Sequence, residues 1–366
     1  MIDLGIGHVD NSVLPIAELK DAALSFFKNL DQSSLQYGPE QGSRSLRHEL
    51  ARFLTEKLAN EVGPETLLVS AGASHGLDLT INKLGPAGAT IFVEDPTYFY
   101  ALDVIRDRSL KVVPIPVDQH GLDISALERK LQKIQPSFLY TIPTYHNPTG
   151  RTLADESRSR LVELAHEYNF LIIADEVYHL LLADPAATRS LAQLDDKRVV
   201  SLGSFSKILG PGLRLGWIQT APENIRKLLT CGVLRSGGGV NPFMSAIAET
   251  ALREGFQDVC LSKLRTHYES RCNFVLQQMR KEFLEQVTFT VPDGGYFLWL
   301  ELPASIDARD LRRRSREVGV DFKPGPLFSW AGNFANCLRM CFTFYDEAQL
   351  EFACGQLAAL LRGVQD

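Results

Sequence analysis

Apolar runs and amphipathic stretches alternate along the chain between about residue 66 and residue 220. A short apolar run bounded by turn residues is typical of a buried strand. The stretch 155–168 instead places Leu161, Leu164 and Ala165 at helical spacing, with charges on its other face, which predicts a surface helix. Alternating strands and helices favour a mostly parallel sheet flanked by helices. The predicted strands cover residues 66–70, 90–93, 111–115, 138–142, 170–174 and 199–202.

The pattern changes after Pro242. Long helical stretches come first, followed by apolar runs at 288–291, 296–300 and 338–344 and by a last helix over about 346–362. This order predicts a smaller α+β domain beside the α/β domain. The length of 366 residues also favours two domains. We expect a large domain over 38–255 and a small domain formed by 1–37 and 256–366.

Composition and charge exclude several classes of protein. The chain is 45% apolar and 22% charged, which is typical of an ordinary globular enzyme. The net charge is -6 and basic residues form no run long enough to follow a phosphate backbone, so we expect no nucleic-acid partner. No segment has the roughly 20 apolar residues of a membrane helix, and no signal peptide is visible. The six cysteines include no C-x-x-C pair, which predicts reduced thiols, a cytoplasmic protein and no zinc site.

The most informative segment runs from Ser204 to Trp217 and follows the predicted strand 199–202. It places Lys207 beside small hydroxyl residues and Arg214 within a turn rich in glycine and proline. An amine that forms a Schiff base needs burial or a nearby positive charge, and a guanidinium can also hold a phosphate. The other interpretation is a loop lysine in water and a surface arginine.

Two further segments carry polar residues to the ends of predicted strands. Asp175 follows the strand 170–174, at the edge where α/β sheets bind ligands, although a carboxylate here could also cap the next helix. Gly72, Ala73 and Ser74 join the strand 66–70 to a helix, and free backbone N–H groups at a helix start favour phosphate. Here the other interpretation is a plain cap with Ser74 as its N-cap residue.

Arg339 stands in the alternating stretch 336–342, among apolar neighbours. A buried guanidinium is costly unless it is paired, and its planar fork matches a carboxylate. The partner is either a substrate carboxylate or an acidic side chain of the chain itself. The Asn-Pro-x-Gly segment at Asn147 is by itself a common turn, and we expect the neighbouring His146 to be a loop histidine in water.

Together these motifs resemble those of the pyridoxal-phosphate-dependent fold-type I aminotransferases of class I and II, and the resemblance covers nearly the whole chain. It implies an α/β fold-type I fold and transfer of an amino group between an L-amino acid and a 2-oxo acid. The cofactor would be pyridoxal phosphate, held by Lys207 as a Schiff base. The Pro-Gly-Leu-Arg sequence at Pro211 is most similar to the branch with 2-aminoadipate and broad-specificity aromatic or kynurenine aminotransferases.

The resemblance also implies a role for individual residues. The catalytic residues would be Lys207, Asp175 at the pyridine nitrogen, and Tyr98, which stacks on the ring. Asn147 and Tyr178 would bind the ring's 3-oxygen, and Asn147 would also contact the substrate with Arg339 and Gly7. The phosphate would be held by Gly72, Ala73, Ser74, Ser204, Arg214 and, in a homodimer with shared active sites, Tyr37 of the neighbouring subunit.

Two other functions share this scaffold. A pyridoxal-phosphate-dependent lyase or cyclase would use the same lysine and the same ring contacts, and none of the motifs distinguishes it from an aminotransferase. A binding module would resemble the aminotransferase-like effector domains that are fused to winged-helix regulators, and we expect no such fused domain in this chain.

Overall fold

The computed structural model describes residues 1–30, 35–283, 287–292 and 294–363. Parts of the predicted small domain, at 31–34, 284–286, 293 and 364–366, lie outside the described residues. The strands are β1 (Ile2–Asp3), β2 (Leu67–Ser70), β3 (Thr90–Asp95), β4 (Lys111–Asp118), β5 (Gly121–Leu122), β6 (Phe138–Thr141), β7 (Leu171–Asp175), β8 (Val199–Ser204), β9 (Gly216–Gln219), β10 (Thr288–Phe289), β11 (Phe297–Glu301), β12 (Val320–Asp321), β13 (Lys323–Pro324) and β14 (Cys337–Cys341).

Helices connect most of these strands. They are α1 (Ile16–Lys28), α2 (Arg44–Leu58), α3 (Ala73–Leu84), α4 (Phe99–Asp107), α5 (Ile124–Leu131), α6 (Asp155–Glu167), α7 (Leu191–Leu194), α8 (Pro222–Leu228), α9 (Gly232–Gly237), α10 (Pro242–Arg253), α11 (Phe256–Glu282), α12 (Ala308–Glu317) and α13 (Glu347–Arg362). Among the described helices, none is both long and apolar enough to cross a membrane.

In the described part of the chain the largest sheet has eight strands, in the order β2-β9-β8-β7-β6-β3-β4-β5. The strands β8, β7, β6, β3 and β4 run parallel, whereas β9 is antiparallel to both of its neighbours and β5 is antiparallel to β4. Parallel neighbours bring their carboxyl ends to one edge of the sheet. The turns after β3, β6, β7 and β8 therefore meet there.

Successive residues of the central strands pack into different hydrophobic clusters. Ile172 of β7 belongs to the cluster that includes Leu139 and Phe170, and Ile173 belongs to the larger cluster that includes Tyr140 and Leu202. Side chains alternate between the two faces of a strand, so both faces of the sheet are buried. This double burial explains why the strands read as continuous apolar runs in the sequence.

A second sheet is antiparallel, with the strand order β10-β11-β14-β13. Its core is a separate cluster that contains Leu298, Met340 and Leu357 and is covered by α11 and α13. The N-terminal strand β1 pairs in parallel with β12, which ties residues 2 and 3 to this part of the molecule. The antiparallel sheet and the helices around it have the α+β character predicted for the tail, while the domain boundaries stay a prediction.

The predicted strands of the large sheet are confirmed, with small shifts at their ends. Thr66 lies in a short 3-10 helix before β2. In the second sheet, the predicted strand 338–344 corresponds to β14, which ends at Cys341. Beyond it the chain turns toward the N-terminal segment, because the hydroxyl of Thr343 donates a hydrogen bond to the His8 carbonyl at 2.9 Å. The shift at this end therefore reflects a contact between distant parts of the chain.

Candidate active site

A cavity of about 400 Å³ opens at the carboxyl edge of the large sheet, where β7, β8 and the loop after β6 face the N-terminal segment and β14. It gathers residues from segments that are far apart in the sequence. Among the residues that line it are Gly7, Gly72, Ala73, Ser74, Tyr98, Asn147, Asp175, Tyr178, Ser204, Lys207, Arg214 and Arg339.

Asp175 is the last residue of β7, and its carboxylate is buried. Oδ2 accepts a hydrogen bond from the hydroxyl of Tyr140 at 2.8 Å, while Oδ1 has no hydrogen-bond partner among the described residues. Burial raises the pKa of Asp175 to about 6, although the Tyr140 hydrogen bond opposes that rise. A buried carboxylate with one unpaired oxygen is suited to a cationic N–H group in the cavity.

The start of α3 forms a cradle for an anion. Gly72 precedes the helix with φ +95°, a left-handed value that favours glycine, and no side chain caps the first turn. The backbone N–H groups of Ala73 and Ser74 are therefore available at the positive end of the helix dipole. Arg214 is exposed and lies beside Gly72, and within the described residues its guanidinium donates to the carbonyls of Pro211 and Ala71, at 3.4 and 3.3 Å. The alternative of a plain cap by Ser74 is wrong, because Gly72 occupies the cap position.

Lys207 follows β8 by three residues and reaches into the cavity. Its Nζ donates to the carbonyl of Gly7 at 2.9 Å and lies 5.0 Å from the ring centre of Tyr296. Burial lowers the pKa of Lys207 to about 8, with the Arg339 guanidinium contributing in the same direction. The amine is thus accessible in its neutral, nucleophilic form near neutral pH. The alternative of a loop lysine in water is wrong.

Arg339 lies on β14 and is only 2% exposed. Nη1 donates to Oδ1 of Asn147 at 2.8 Å and Nη2 donates to the carbonyl of Gly5 at 2.7 Å. The guanidinium carbon lies 4.0 Å from the ring centre of Phe297. In the described residues no carboxylate forms an ion pair with Arg339, and its Nε has no hydrogen-bond partner. This excludes a salt bridge within the described chain and leaves a buried cation facing the cavity.

The loop that carries Asn147 is held from behind by a buried pair. Nε2 of His146 lies 3.1 Å from Oε2 of Glu94, and the hydroxyl of Thr149 lies 2.8 Å from Nδ1 of the same ring. Glu94 also accepts hydrogen bonds from the Thr141 hydroxyl at 2.6 Å and from the backbone of Ile142 at 2.8 Å. The expectation that His146 lies in water is wrong, because His146 is 1% exposed. The stretch of turn residues around it hid this burial in the sequence.

Two tyrosines flank the centre of the cavity. Tyr178 is buried after β7, and Tyr98 precedes α4 at its N-cap position. Burial raises the pKa of Tyr98 to about 12 and raises that of Tyr178 well above its ordinary value, so both phenols stay protonated near neutral pH. Both side chains line the cavity together with Asp175 and Lys207.

Tyr37 is the exception among the predicted site residues. It is 85% exposed and does not line the cavity of its own chain; it lies beside Gly38, Pro242 and Glu249. All other residues predicted for the site line the same cavity.

Sequence reasoning missed two residues that line this cavity and a third that contacts a lining residue. Tyr140, which hydrogen-bonds Asp175, is an inward-facing position of a predicted strand and reads as core. Lys323 and His8 line the cavity, from β13 and from the N-terminal segment. Their local sequence gives no signal of this position, since Lys323 stands in a stretch of mixed charged and apolar residues. A parallel sheet whose carboxyl edge gathers an amine, a carboxylate and an anion cradle is the arrangement of a fold-type I pyridoxal-phosphate enzyme.

Comparison with known proteins agrees with this class. The family model of aminotransferase class I and II matches residues 1–357. The aromatic-amino-acid aminotransferase 1 of Thermococcus litoralis is 30% identical over 99% of this chain and 88% of its own length. A 2-aminoadipate transaminase of Thermus thermophilus is also 30% identical, over 96% of this chain and 88% of its own length. The crystal structure of the Pyrococcus horikoshii kynurenine aminotransferase, in complex with PMP, has a TM-score of 0.92 at 29% identity and covers 100% of this chain and 92% of that one.

The chain therefore belongs to the class I and II aminotransferases. It is an enzyme that exchanges an amino group between an amino acid and a 2-oxo acid, with pyridoxal phosphate as its cofactor. The cavity fits that cofactor. The unpaired oxygen of Asp175 suits a pyridine N–H, and the uncapped start of α3 with Arg214 suits a phosphate.

Proposed function

We propose that Lys207, Asp175 and Arg339 carry out the amino-group transfer. The observation that carries this proposal is the geometry of the cavity: the half-buried Lys207 and the buried guanidinium of Arg339 line the same space as Asp175. Arg339 would bind the substrate's α-carboxylate, because its fork faces the cavity without an acidic partner in the described chain. This orients the substrate's Cα toward Lys207.

Lys207 then acts as the base at the substrate's Cα. A pKa near 8 allows Nζ to accept the Cα proton, and Lys207 would pass this proton to C4′ of the cofactor, with the opposite transfer in the second half of the exchange. Bound pyridoxal phosphate supplies an electron-withdrawing ring that stabilises the negative charge left on Cα. Asp175 would keep the ring nitrogen protonated through its unpaired Oδ1, and Tyr98 would contact the ring.

The remaining cavity residues would hold the cofactor in position. Asn147 and Tyr178 would bind the ring's 3-oxygen, with Nδ2 of Asn147 as a donor because its Oδ1 already accepts from Arg339. Gly7 would position both Lys207, through its carbonyl, and the substrate next to it. The phosphate would lie on Gly72, Ala73, Ser74, Ser204 and Arg214.

We also propose that the enzyme is a homodimer in which Tyr37 completes the phosphate site of the partner subunit. Its support is the exposed ring of Tyr37, which lies outside its own cavity. Subunit complementation tests this. Lys207→Ala and Tyr37→Ala chains, each weakly active, should recover up to about a quarter of full activity when refolded together, because mixed dimers contain one intact site. No recovery in dimers of verified mixed composition contradicts the proposal.

A cytoplasmic location is part of the same proposal. All six cysteines are buried, as expected for thiols that stay reduced. Cell fractionation that recovers the protein with the membrane or outside the cell contradicts it.

Half-reaction spectroscopy tests the reaction itself. The enzyme loaded with pyridoxal phosphate is mixed with one amino acid at a time and no acceptor, and both the visible spectrum and the released 2-oxo acid are measured. Conversion of the cofactor to its pyridoxamine form with one equivalent of 2-oxo acid supports transamination. A product without a 2-oxo group, with the starting spectrum restored, identifies a lyase or cyclase instead. Lys207→Ala should abolish the conversion, and Lys130→Met, a change at an exposed lysine on α5, should not.

A further inference from the structure

The proposed function leaves one cation of the cavity without a ligand. The lysines and arginines that line the cavity are Lys207, Arg214, Lys323 and Arg339, whereas Asp175 is the only acidic residue among the described lining residues. Burial and the nearby Lys207 lower the pKa of His8, so His8 adds no positive charge near neutral pH. The phosphate would neutralise Arg214, the α-carboxylate would neutralise Arg339, and the cofactor would engage Lys207. None of these three groups, the phosphate, the α-carboxylate or the rest of the cofactor, would neutralise Lys323.

Lys323 lies directly beside Arg339. The two residues are paired across the antiparallel strands β13 and β14, so their side chains leave the same face of the sheet. Like charges in directly opposite positions destabilise a sheet. Asp3 offsets part of this repulsion, since its carboxylate pairs with Lys323 at 3.7 Å and acts on Arg339 to raise its pKa, and an anionic ligand between the two cations would offset more of it.

The neighbours of Lys323 leave its ammonium available. The aliphatic stem packs close to Gly5, the residue whose carbonyl accepts from Arg339 at 2.7 Å. Its Nζ lies 3.7 Å from Oδ2 of Asp3, which is too long for a hydrogen bond, and Oδ1 of Asp3 accepts from the backbone of Gly5 at 2.8 Å. The Lys323 side chain is 24% exposed. The stem is thus held against Gly5, and Lys323 lines the cavity with its ammonium near Asp3.

We propose that Lys323 binds the second carboxylate of a dicarboxylic amino acid and of the matching 2-oxo acid. The inference rests on the proposed role of Arg339 as the α-carboxylate site. A substrate held there, with its Cα at Lys207, has only its side chain left to reach the next strand. A carboxylate on that side chain gains a charge-assisted hydrogen bond from Lys323. An apolar side chain leaves the ammonium with only its 3.7 Å contact with Asp3, which selects against it.

Matched substrate pairs test this role. Aspartate, glutamate and 2-aminoadipate are compared with 2-aminobutyrate, norvaline and norleucine, which have the same chain lengths but end in a methyl group. The variants are Lys323→Met, which keeps the length of the stem, Lys323→Arg, which keeps the charge, and the exposed control Lys130→Met. We expect Lys323→Met to lower kcat/KM for the preferred dicarboxylate by about ten- to hundredfold, and to affect its methyl counterpart at least about tenfold less. Lys323→Arg should restore most of the loss.

Binding without turnover provides an independent readout. Glutarate and pentanoate are titrated into the enzyme loaded with pyridoxal phosphate, and heat is measured. The affinity for glutarate should fall in Lys323→Met by a similar factor, while the affinity for pentanoate changes much less. Three results would overturn the inference. They are equal losses of kcat/KM or affinity for both members of a pair, no loss for the dicarboxylate, and a wild-type preference for the methyl-ended substrates. A wild-type enzyme that releases no 2-oxo acid from any amino acid would instead overturn the proposed function.

Discussion

Nη1 of Arg339 donates a hydrogen bond to Oδ1 of Asn147 across 2.8 Å, and both side chains are buried. The two residues stand 192 positions apart, one on a strand of the small sheet and the other in the loop after β6. The contact holds the guanidinium without neutralising it, because the amide oxygen carries no net charge. It also turns Nδ2 of Asn147 away from Arg339. This hydrogen bond therefore links the proposed site for the substrate carboxylate, at Arg339, to the proposed site for the cofactor's 3-oxygen, at Asn147.

Arg339→Lys should impair substrate binding while leaving the cofactor in place. Lysine keeps the charge but loses the planar fork and the hydrogen bond to Asn147. We expect kcat/KM for the preferred amino acid to fall by about hundredfold, mainly through KM, which corresponds to one lost bidentate contact. Steady-state kinetics measure this, and the visible absorbance of the bound cofactor should stay the same. Arg313→Lys, on the exposed face of α12, is the matched control. A loss in Arg339→Lys that lies only in kcat would contradict a role in carboxylate binding.

A double-mutant cycle measures the coupling between Arg339 and Asn147. Each residue is replaced by alanine, alone and together, and the effect on the binding of an unreactive carboxylate is determined by calorimetry. Because the two groups share a buried, charge-assisted hydrogen bond, we expect a coupling free energy of about 1 to 2 kcal/mol. Additive effects of the two single changes would show that Asn147 does not hold the guanidinium.

Glu94→Ala should destabilise the fold. The change leaves the buried Thr141 hydroxyl and the Ile142 N–H without their shared acceptor, and it removes the carboxylate that lies beside the His146 ring. We expect the free energy of unfolding to decrease by about 3 kcal/mol, as for other broken buried polar networks. Denaturant unfolding of the cofactor-free protein measures it, with the exposed Glu61→Ala as control. A decrease in the free energy of unfolding as small as that of the control would mean that Glu94 and His146 do not stabilise the loop that carries Asn147.

Stability of the cofactor-free enzyme should depend on pH through Lys207. Burial lowers the pKa of this lysine from 10.5 to about 8, so between these values the unfolded chain binds a proton that the folded chain does not. Stability contributed by Lys207 should therefore rise as pH increases from about 8 to 10.5. Since the side chain is only half-buried, we expect a gain on the order of 2 kcal/mol.

The measurement compares wild type with Lys207→Met across this range. Thermal unfolding at each pH should show the stability of wild type increasing relative to that of the variant as pH rises, because methionine carries no titrating group. The enzyme loaded with cofactor, in which the amine is engaged, serves as control and should lack this trend. A difference between wild type and variant that stays constant from pH 8 to 10.5 would show that the amine is not desolvated.

Much of this enzyme could be predicted from local patterns. The strands of the large sheet are buried on both faces and therefore appear as continuous apolar runs, and their order along the chain predicts a parallel sheet. Asp175 is the last residue of such a strand, and Gly72 and Lys207 follow one by two and three residues, so short segments were enough to indicate a cofactor site. Local sequence carries this information because each of these features is formed by neighbours in the chain.

The tertiary structure decided what depends on residues far apart in the sequence. His146 reads as a loop residue. Only the pairing of β3 with β6 brings Glu94 to the loop after β6, where His146 lies. Lys323 stands in a stretch that mixes charged and apolar residues, and only the register of β13 on β14 sets it beside Arg339. Register and strand order arise from the packing of the whole chain, and a shift of one residue would turn Lys323 to the other face of its sheet. The sequence by itself therefore determined the fold class and the cofactor chemistry, while tertiary packing decided which charges face the substrate.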